Sequence, residues 1–111
     1  MAYLRACAVD EVRDDEGLGV TVDGLEVVVA RCGDEFFALQ DCCSHAAVAL
    51  SEGYVEDCQV ECFLHGSMFD LRTGKPTNLP ATEPVATFPV EERDGDVFVD
   101  VTEPLNGVAP S

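Results

Sequence analysis

Short apolar runs broken by Gly- or Asp-containing turns recur along the chain, and they predict β-strands joined by tight hairpins rather than helices. Residues 4–9 form the first predicted strand, followed by an acidic loop through Asp14, Asp15, Glu16 and Gly17. Residues 19–22 and 25–30 flank Asp23-Gly24, a two-residue hairpin signal. Two further hairpins are predicted, one between residues 25–30 and 36–39 across Cys32-Gly33-Asp34-Glu35, the other between residues 85–92 and 96–101 across Asp94-Gly95. In the last of these strands Val97, Val99 and Val101 share one face by period-two alternation. Residues 54–56 and 59–62 read as a small hairpin, and residues 68–71 lead into a turn at Thr73-Gly74-Lys75-Pro76. Residues 79–84 hold two prolines and predict an extended crossing, because proline removes a donor and biases its predecessor away from helix. A short helical turn is expected at residues 46–50. The pattern predicts an all-β domain over residues 1–102 and a flexible tail over residues 103–111, which contain Gly107 and Pro110.

With 111 residues, 47% of them hydrophobic, the chain is long enough for one domain with a modest core. Its formal charge of −16 comes from 22 acidic against 6 basic residues. That balance excludes nucleic-acid binding, which needs clustered Lys and Arg against phosphates, and it favours steering toward a basic partner. A salt-adapted or Arg-preferring source would give a similar composition, since Lys75 is the only lysine. The first residues lack the charged-then-apolar layout of a signal peptide, and no apolar run approaches the ~20 residues of a membrane span, so a cytoplasmic protein without membrane contact is expected. In a reducing compartment six cysteines point to metal ligation by a clustered subset rather than to disulfides. Cys7 and Cys32 stand outside that subset and are expected as buried thiols without a special role.

The chemistry concentrates in two short boxes, Cys43-Ser44-His45 and Cys62-Phe63-Leu64-His65, separated by sixteen residues and holding both histidines of the chain. Two cysteines and two histidines suit a [2Fe–2S] centre in which imidazoles replace two thiolates on one iron. The replacement removes about two units of negative charge and makes an added electron easier to accept. Separate loops are needed because one short segment cannot wrap both irons. Cys42 offers an alternative C-x-x-H spacing with His45, and Cys58 lies four residues before Cys62. Tetrahedral zinc is a chemically adequate alternative, although zinc boxes more often follow C-x2-4-C with H-x3-5-H. A thiol hydrolase would need an orienting group and a Gly-framed nucleophile turn, which the sequence lacks.

These boxes, with Leu50 and Gly53 after the first, His65-Gly66-Ser67 around the second, and then Phe69-Asp70-Leu71, Thr73-Gly74 and Pro80-Ala81, resemble the Rieske family over nearly the whole chain. The likeness is to the small Rieske-type ferredoxins that serve bacterial ring-hydroxylating oxygenases. It implies three stacked antiparallel sheets with two cluster-binding loops at one end and one Rieske-type [2Fe–2S] cluster. Cys43 and Cys62 would bind the inner iron, and His45 and His65 the outer iron through their Nδ1 atoms. The spacing of the family favours Cys43 over Cys42 and places no ligand at Cys58.

The resemblance also implies a one-electron carrier rather than an enzyme, a monomeric shuttle between a flavin-containing NAD(P)H reductase and a non-haem iron oxygenase. An accessory role in iron–sulfur cluster assembly or in a nitrite-reductase-like complex is the alternative. High-potential Rieske proteins carry an extra cysteine in each loop, where this chain has Val48 and Leu64, and a tyrosine where it has Phe69. Ser67 matches their serine, which donates a hydrogen bond to a bridging sulfide. A potential in the low to middle part of the Rieske range of roughly −150 to +300 mV is therefore expected. No histidine remains for a two-His-one-carboxylate oxygenase iron.

Overall fold

The structure, a computed structural model, describes residues 3–43, 48–64, 66–79 and 81–108. Ten strands form among them, all in antiparallel sheets. They are β1 (Leu4–Ala8), β2 (Leu18–Val22), β3 (Leu25–Cys32), β4 (Glu35–Gln40), β5 (Val55–Glu56), β6 (Gln59–Cys62), β7 (Ser67–Asp70), β8 (Thr87–Phe88), β9 (Val90–Arg93) and β10 (Asp96–Val99). The sheets have strand orders β1–β10–β9, β2–β3–β4–β8 and β5–β6–β7.

The order of layers follows from β3. Its Val27 and Val29 enter a core with Val22 and Phe88 of the same sheet and with Cys7, Val97 and Val99 of the β1–β10–β9 sheet. Val28 and Ala30 point the other way, into a core with Leu50, Val60, Cys62, Phe69 and Leu71. A strand buried on both faces needs a continuous apolar run, which Val27-Val28-Val29-Ala30 supplies. The four-stranded sheet is thus the middle layer, and the expected all-β, three-sheet stack is the observed fold.

The hairpin signals set local geometry as expected. Asp23-Gly24 and Asp94-Gly95 both carry left-handed backbone, with φ of 50° and 81° in the first and 52° and 82° in the second. The turn between β3 and β4 is shorter than predicted: Cys32 and Glu35 already pair, leaving only Gly33-Asp34. Residues 85–92 are not one strand. Thr87–Phe88 pairs with β4, whereas Val90–Arg93 pairs with β10 in another sheet. Pro89 lies at the switch; it cannot donate to a ladder, and its carbonyl accepts the Asp100 N–H at 3.1 Å. The short helical turn is a 3-10 turn at Leu50–Glu52, and the region predicted for it lies partly outside the described residues.

Cys7 is a buried thiol, as expected, and burial, with Glu11 adding to it, pushes its pKa up to about 11. Cys32 departs from expectation. It is half-buried and joined to Cys58 in a disulfide, with the two Cα atoms 5.2 Å apart. Neither residue had a partner in the sequence pattern, because 26 positions separate them.

Beyond Glu103, the Asn106 side chain donates to the carbonyls of Thr73 (3.0 Å) and Val85 (2.8 Å) and accepts the Thr87 N–H (3.2 Å). The Leu105 N–H donates to the Thr87 carbonyl at 2.7 Å. These bonds join residues 105–106 to β8 and to the turn after β7. Among the described residues no helix is long and apolar enough to cross a membrane.

Candidate metal centre

Each box begins where a strand leaves the core. β4 ends at Gln40, a buried side chain whose Oε1 accepts the Ala86 N–H (3.1 Å) and whose Nε2 donates to the Cys42 carbonyl (3.3 Å). Asp41 then clamps the base of the first loop. Its two carboxylate oxygens accept the Ser51 N–H and Ser51 Oγ–H, both at 2.7 Å. The Cys43 N–H donates to the Val48 carbonyl at 2.8 Å and closes the loop between them. Leu50, fully buried, anchors its exit.

The second box sits at the tip of the β6–β7 hairpin. Cys62 and Ser67 are paired across the ladder, and the Gly66 N–H donates to the Cys62 carbonyl at 2.9 Å. Phe63 and Leu64 between them are about half exposed, at 50% and 48%. The two loops are held together by close backbone contact: an added Cβ at Gly53 would lie 1.8 Å from the Glu61 carbonyl oxygen.

A third segment completes the rim. Asn78 Oδ1 accepts the Met68 N–H (2.6 Å), its Nδ2 donates to the Gly66 carbonyl (3.1 Å), and the Ala81 N–H donates to Ser67 Oγ (3.0 Å). Leu79 follows Asn78 and is 74% exposed, beside the second box. Sequence reasoning missed Asn78, Asp41 and Ser51 as positioning residues. The only signal was polar side chains next to the boxes, a pattern shared with many ordinary loops.

Of the expected ligand set, Cys43 and Cys62 are both buried and both enter the same apolar cluster, together with Leu50, Val60, Phe69 and Ala81. His45 and His65 lie outside the described residues, as does Pro80. Among the described residues, no group of three or more Cys, Asp, Glu or His side chains forms a metal site. Cys58 is committed to Cys32.

The donor chemistry fits a [2Fe–2S] cluster. Two thiols reach one dry cluster from two loops, as cysteine ligation of one iron requires. Ser67 is fully buried, yet its hydroxyl only accepts, from Ala81; its own proton has no protein acceptor among the described residues. A cluster sulfide bordering Cys62 would take that hydrogen bond, which strengthens as negative charge accumulates on reduction. Ser67→Ala should therefore lower the reduction potential. A differential bond of about 1–2 kcal/mol corresponds to about 40–90 mV for one electron. Redox titration with optical detection checks this, and an unchanged potential would mean that the hydroxyl points elsewhere.

The comparisons with known proteins agree with this chemistry. Residues 2–89 match the profile of the Rieske [2Fe–2S] domain. The anthranilate 1,2-dioxygenase ferredoxin subunit of Burkholderia cepacia is 48% identical over 94 residues, covering 85% of this chain and 87% of that protein. The ferredoxin of carbazole 1,9a-dioxygenase from Nocardioides aromaticivorans superposes with a TM-score of 0.84 at 33% identity, covering all of both chains (100% each). A structure described as a complex of reduced oxygenase and oxidized ferredoxin in carbazole 1,9a-dioxygenase contains a chain that matches with a TM-score of 0.80 at 36% identity, over 87% of this chain and 91% of that one. The chain belongs to the Rieske [2Fe–2S] family, as a ferredoxin that carries one Rieske-type cluster and transfers electrons rather than catalysing a reaction.

Proposed function

We propose that Cys43 and Cys62 hold the inner iron and His45 and His65 the outer iron, and that the protein passes single electrons from a flavin-containing NAD(P)H reductase to a non-haem iron oxygenase. One observation carries this reading most directly: the two box cysteines, nineteen positions apart in sequence, are buried in one apolar cluster beneath a rim of exposed apolar side chains. When bound, the cluster accepts and releases one electron at a time. The chain's own residues then have distinct tasks. The cysteines sit in the dry core, Ser67 offers its hydroxyl proton, and the exposed Phe63 and Leu64 beside the second box meet the partner. A monomer in the cytoplasm suits such a shuttle.

Phe63, Leu64 and Leu79 form the exposed apolar margin of the site, with Val48 half-buried beside the first box. An apolar contact of this size favours brief, weak docking. Long-range steering falls to the acidic surface. All five arginines already pair with carboxylates, Arg5 with Asp96, Arg13 with Asp15, Arg31 with Asp14, Arg72 with Glu35 and Arg93 with Glu91, so they leave the excess negative charge unopposed.

Reconstitution with a flavin-containing NAD(P)H reductase and a non-haem iron oxygenase tests the proposal. Reduced nicotinamide should bleach the visible absorption only when the reductase is present, and product should form only when all three proteins are combined. Leu79→Ser should slow electron transfer to the oxygenase about tenfold, the equivalent of about 1.4 kcal/mol at a desolvated contact, while the reduction potential stays unchanged. Rising salt should slow the bimolecular step. A rate indifferent to salt would remove the steering role, and failure to reduce the oxygenase would favour another acceptor.

A further inference from the structure

We propose that Cys32 and Cys58 form a reversible thiol–disulfide couple, oxidised by small-molecule disulfides, that staples the cluster-bearing sheet to the central sheet. The couple is separate from the electron-transfer site and from the four cluster ligands.

The argument begins with placement. Cys32 is the last residue of β3, in the middle layer, and Cys58 is the second residue of the β5–β6 turn, in the layer that carries the second box. The two Cα atoms are 5.2 Å apart, within the span of a disulfide. β6 begins at Gln59, the residue after Cys58, and ends at Cys62, so one end of that strand adjoins the staple and the other carries a cysteine of the second box. The Cys58 carbonyl also accepts the Leu71 N–H at 3.0 Å, which holds the exit of β7 at the same point.

The backbone supplies a second, independent observation. Among the described residues, three two-residue turns have both central residues at positive φ. Two of them place glycine second, Gly24 at 81° and Gly95 at 82°; the third places Cys58 there, at 60°. A side chain in that conformation is disfavoured by its Cβ, and glycine is the ordinary solution. Cysteine at this position gains nothing locally. Its gain is the bond to Cys32, which only a cysteine can make.

Accessibility makes the bond exchangeable. Cys32 and Cys58 are both partly exposed, unlike buried Cys7, Cys43 and Cys62, so a small disulfide in solution can reach them. In the first step one thiolate attacks a sulfur of the small disulfide, breaking its S–S bond and releasing one small thiolate. The second cysteine thiolate then attacks the mixed disulfide, forming the Cys32–Cys58 bond and releasing the other small thiolate. The two protons lost by the cysteines end on the two released thiols, and two electrons pass from the cysteines to the small disulfide.

The test uses the holoprotein equilibrated with excess reduced or oxidised glutathione, then quenched in acid, unfolded and alkylated. The chain has six cysteines, so intact mass should show six labels after reduction and four after oxidation. Cleavage after glutamate should yield residues 27–35 joined to residues 57–61 in the oxidised sample. The oxidised form should lose both its visible colour and its β-sheet circular dichroism about 10 °C above the reduced form, as expected for a cross-link that closes a loop of this length. That difference should vanish in Cys32→Ser and in Cys58→Gly, the latter chosen because glycine suits the turn and protects folding.

Six labels after oxidation, or a different linked peptide, would overturn the pairing. Four labels after reduction would show a permanent rather than a reversible bond. Equal melting of the two wild-type forms would refute the staple. Because label counting needs no cluster, these outcomes stand apart from the ligand assignment.

Discussion

Cys62→Ala should yield a folded but colourless protein. Cys62 is fully buried at the end of β6, within the apolar cluster that also holds Cys43. Alanine leaves a small void there but introduces no buried hydroxyl, so the fold should survive with a loss of about 1–2 kcal/mol. The cluster should not survive, because one thiolate cannot hold an iron that needs two. Visible absorption and the electron paramagnetic resonance signal of the reduced cluster should both disappear, and electron transfer should fall to background. Cys43→Ala should do the same. Cys42→Ser, half-buried beside the first box, and Cys58→Ser, in the disulfide, should both keep the colour. Colour lost with Cys42 but kept without Cys43 would move the ligand to Cys42, whose alternative spacing with His45 the sequence allows.

Gly53→Ala is the second large effect, and it acts through contact rather than through backbone preference. Gly53 has φ of −96°, which any residue adopts. Its difficulty is the Glu61 carbonyl oxygen, 1.8 Å from where a Cβ would sit, with the Glu61 carbonyl carbon at 2.8 Å. Both obstacles are backbone of β6, fixed by the ladder with β7 and by the Glu61 N–H donating to the Tyr54 carbonyl at 2.8 Å. Relief requires the first-box loop to move away from the strand that delivers Cys62. A loss of about 3 kcal/mol is expected, large against the 5–15 kcal/mol that holds a typical domain. Gly33→Ala is the contrast. Gly33 has φ of 63° and nothing within 4 Å of an added Cβ, so only conformational preference opposes it, by about 1 kcal/mol. Denaturant midpoints of the two variants should separate these causes. If Gly33→Ala proved the more damaging, the close approach of the two loops would not be the controlling contact.

The same contrast marks how far the sequence carries. Hairpins governed by neighbouring residues were legible, because Asp23-Gly24 and Asp94-Gly95 state their left-handed backbone in the residues themselves. The two Cys/His boxes stood out for a similar reason, since ligand chemistry restricts residue type and spacing within a few positions; of their four Cys and His side chains the structure describes Cys43 and Cys62, both buried. The strand assigned to residues 85–92 was less so. Pro89 announced a break in a ladder, but not that Thr87–Phe88 would join the central sheet while Val90–Arg93 joined another. That choice depends on which core offers a vacancy, and cores are assembled from all three layers.

The sequence by itself determined an all-β chain, two loops bearing one cysteine and one histidine each, and the electron-carrying chemistry those four residues imply. Tertiary structure decided what no local pattern encodes. It brought Cys43 and Cys62 into one dry cluster, set Gly53 against the Glu61 carbonyl, tied Asn78 to the second box and joined Cys32 to Cys58. The physical reason is common to all four. Each depends on residues far apart in sequence meeting through packing, and a side chain's type limits which bonds it can make without naming the partner that the fold will place beside it.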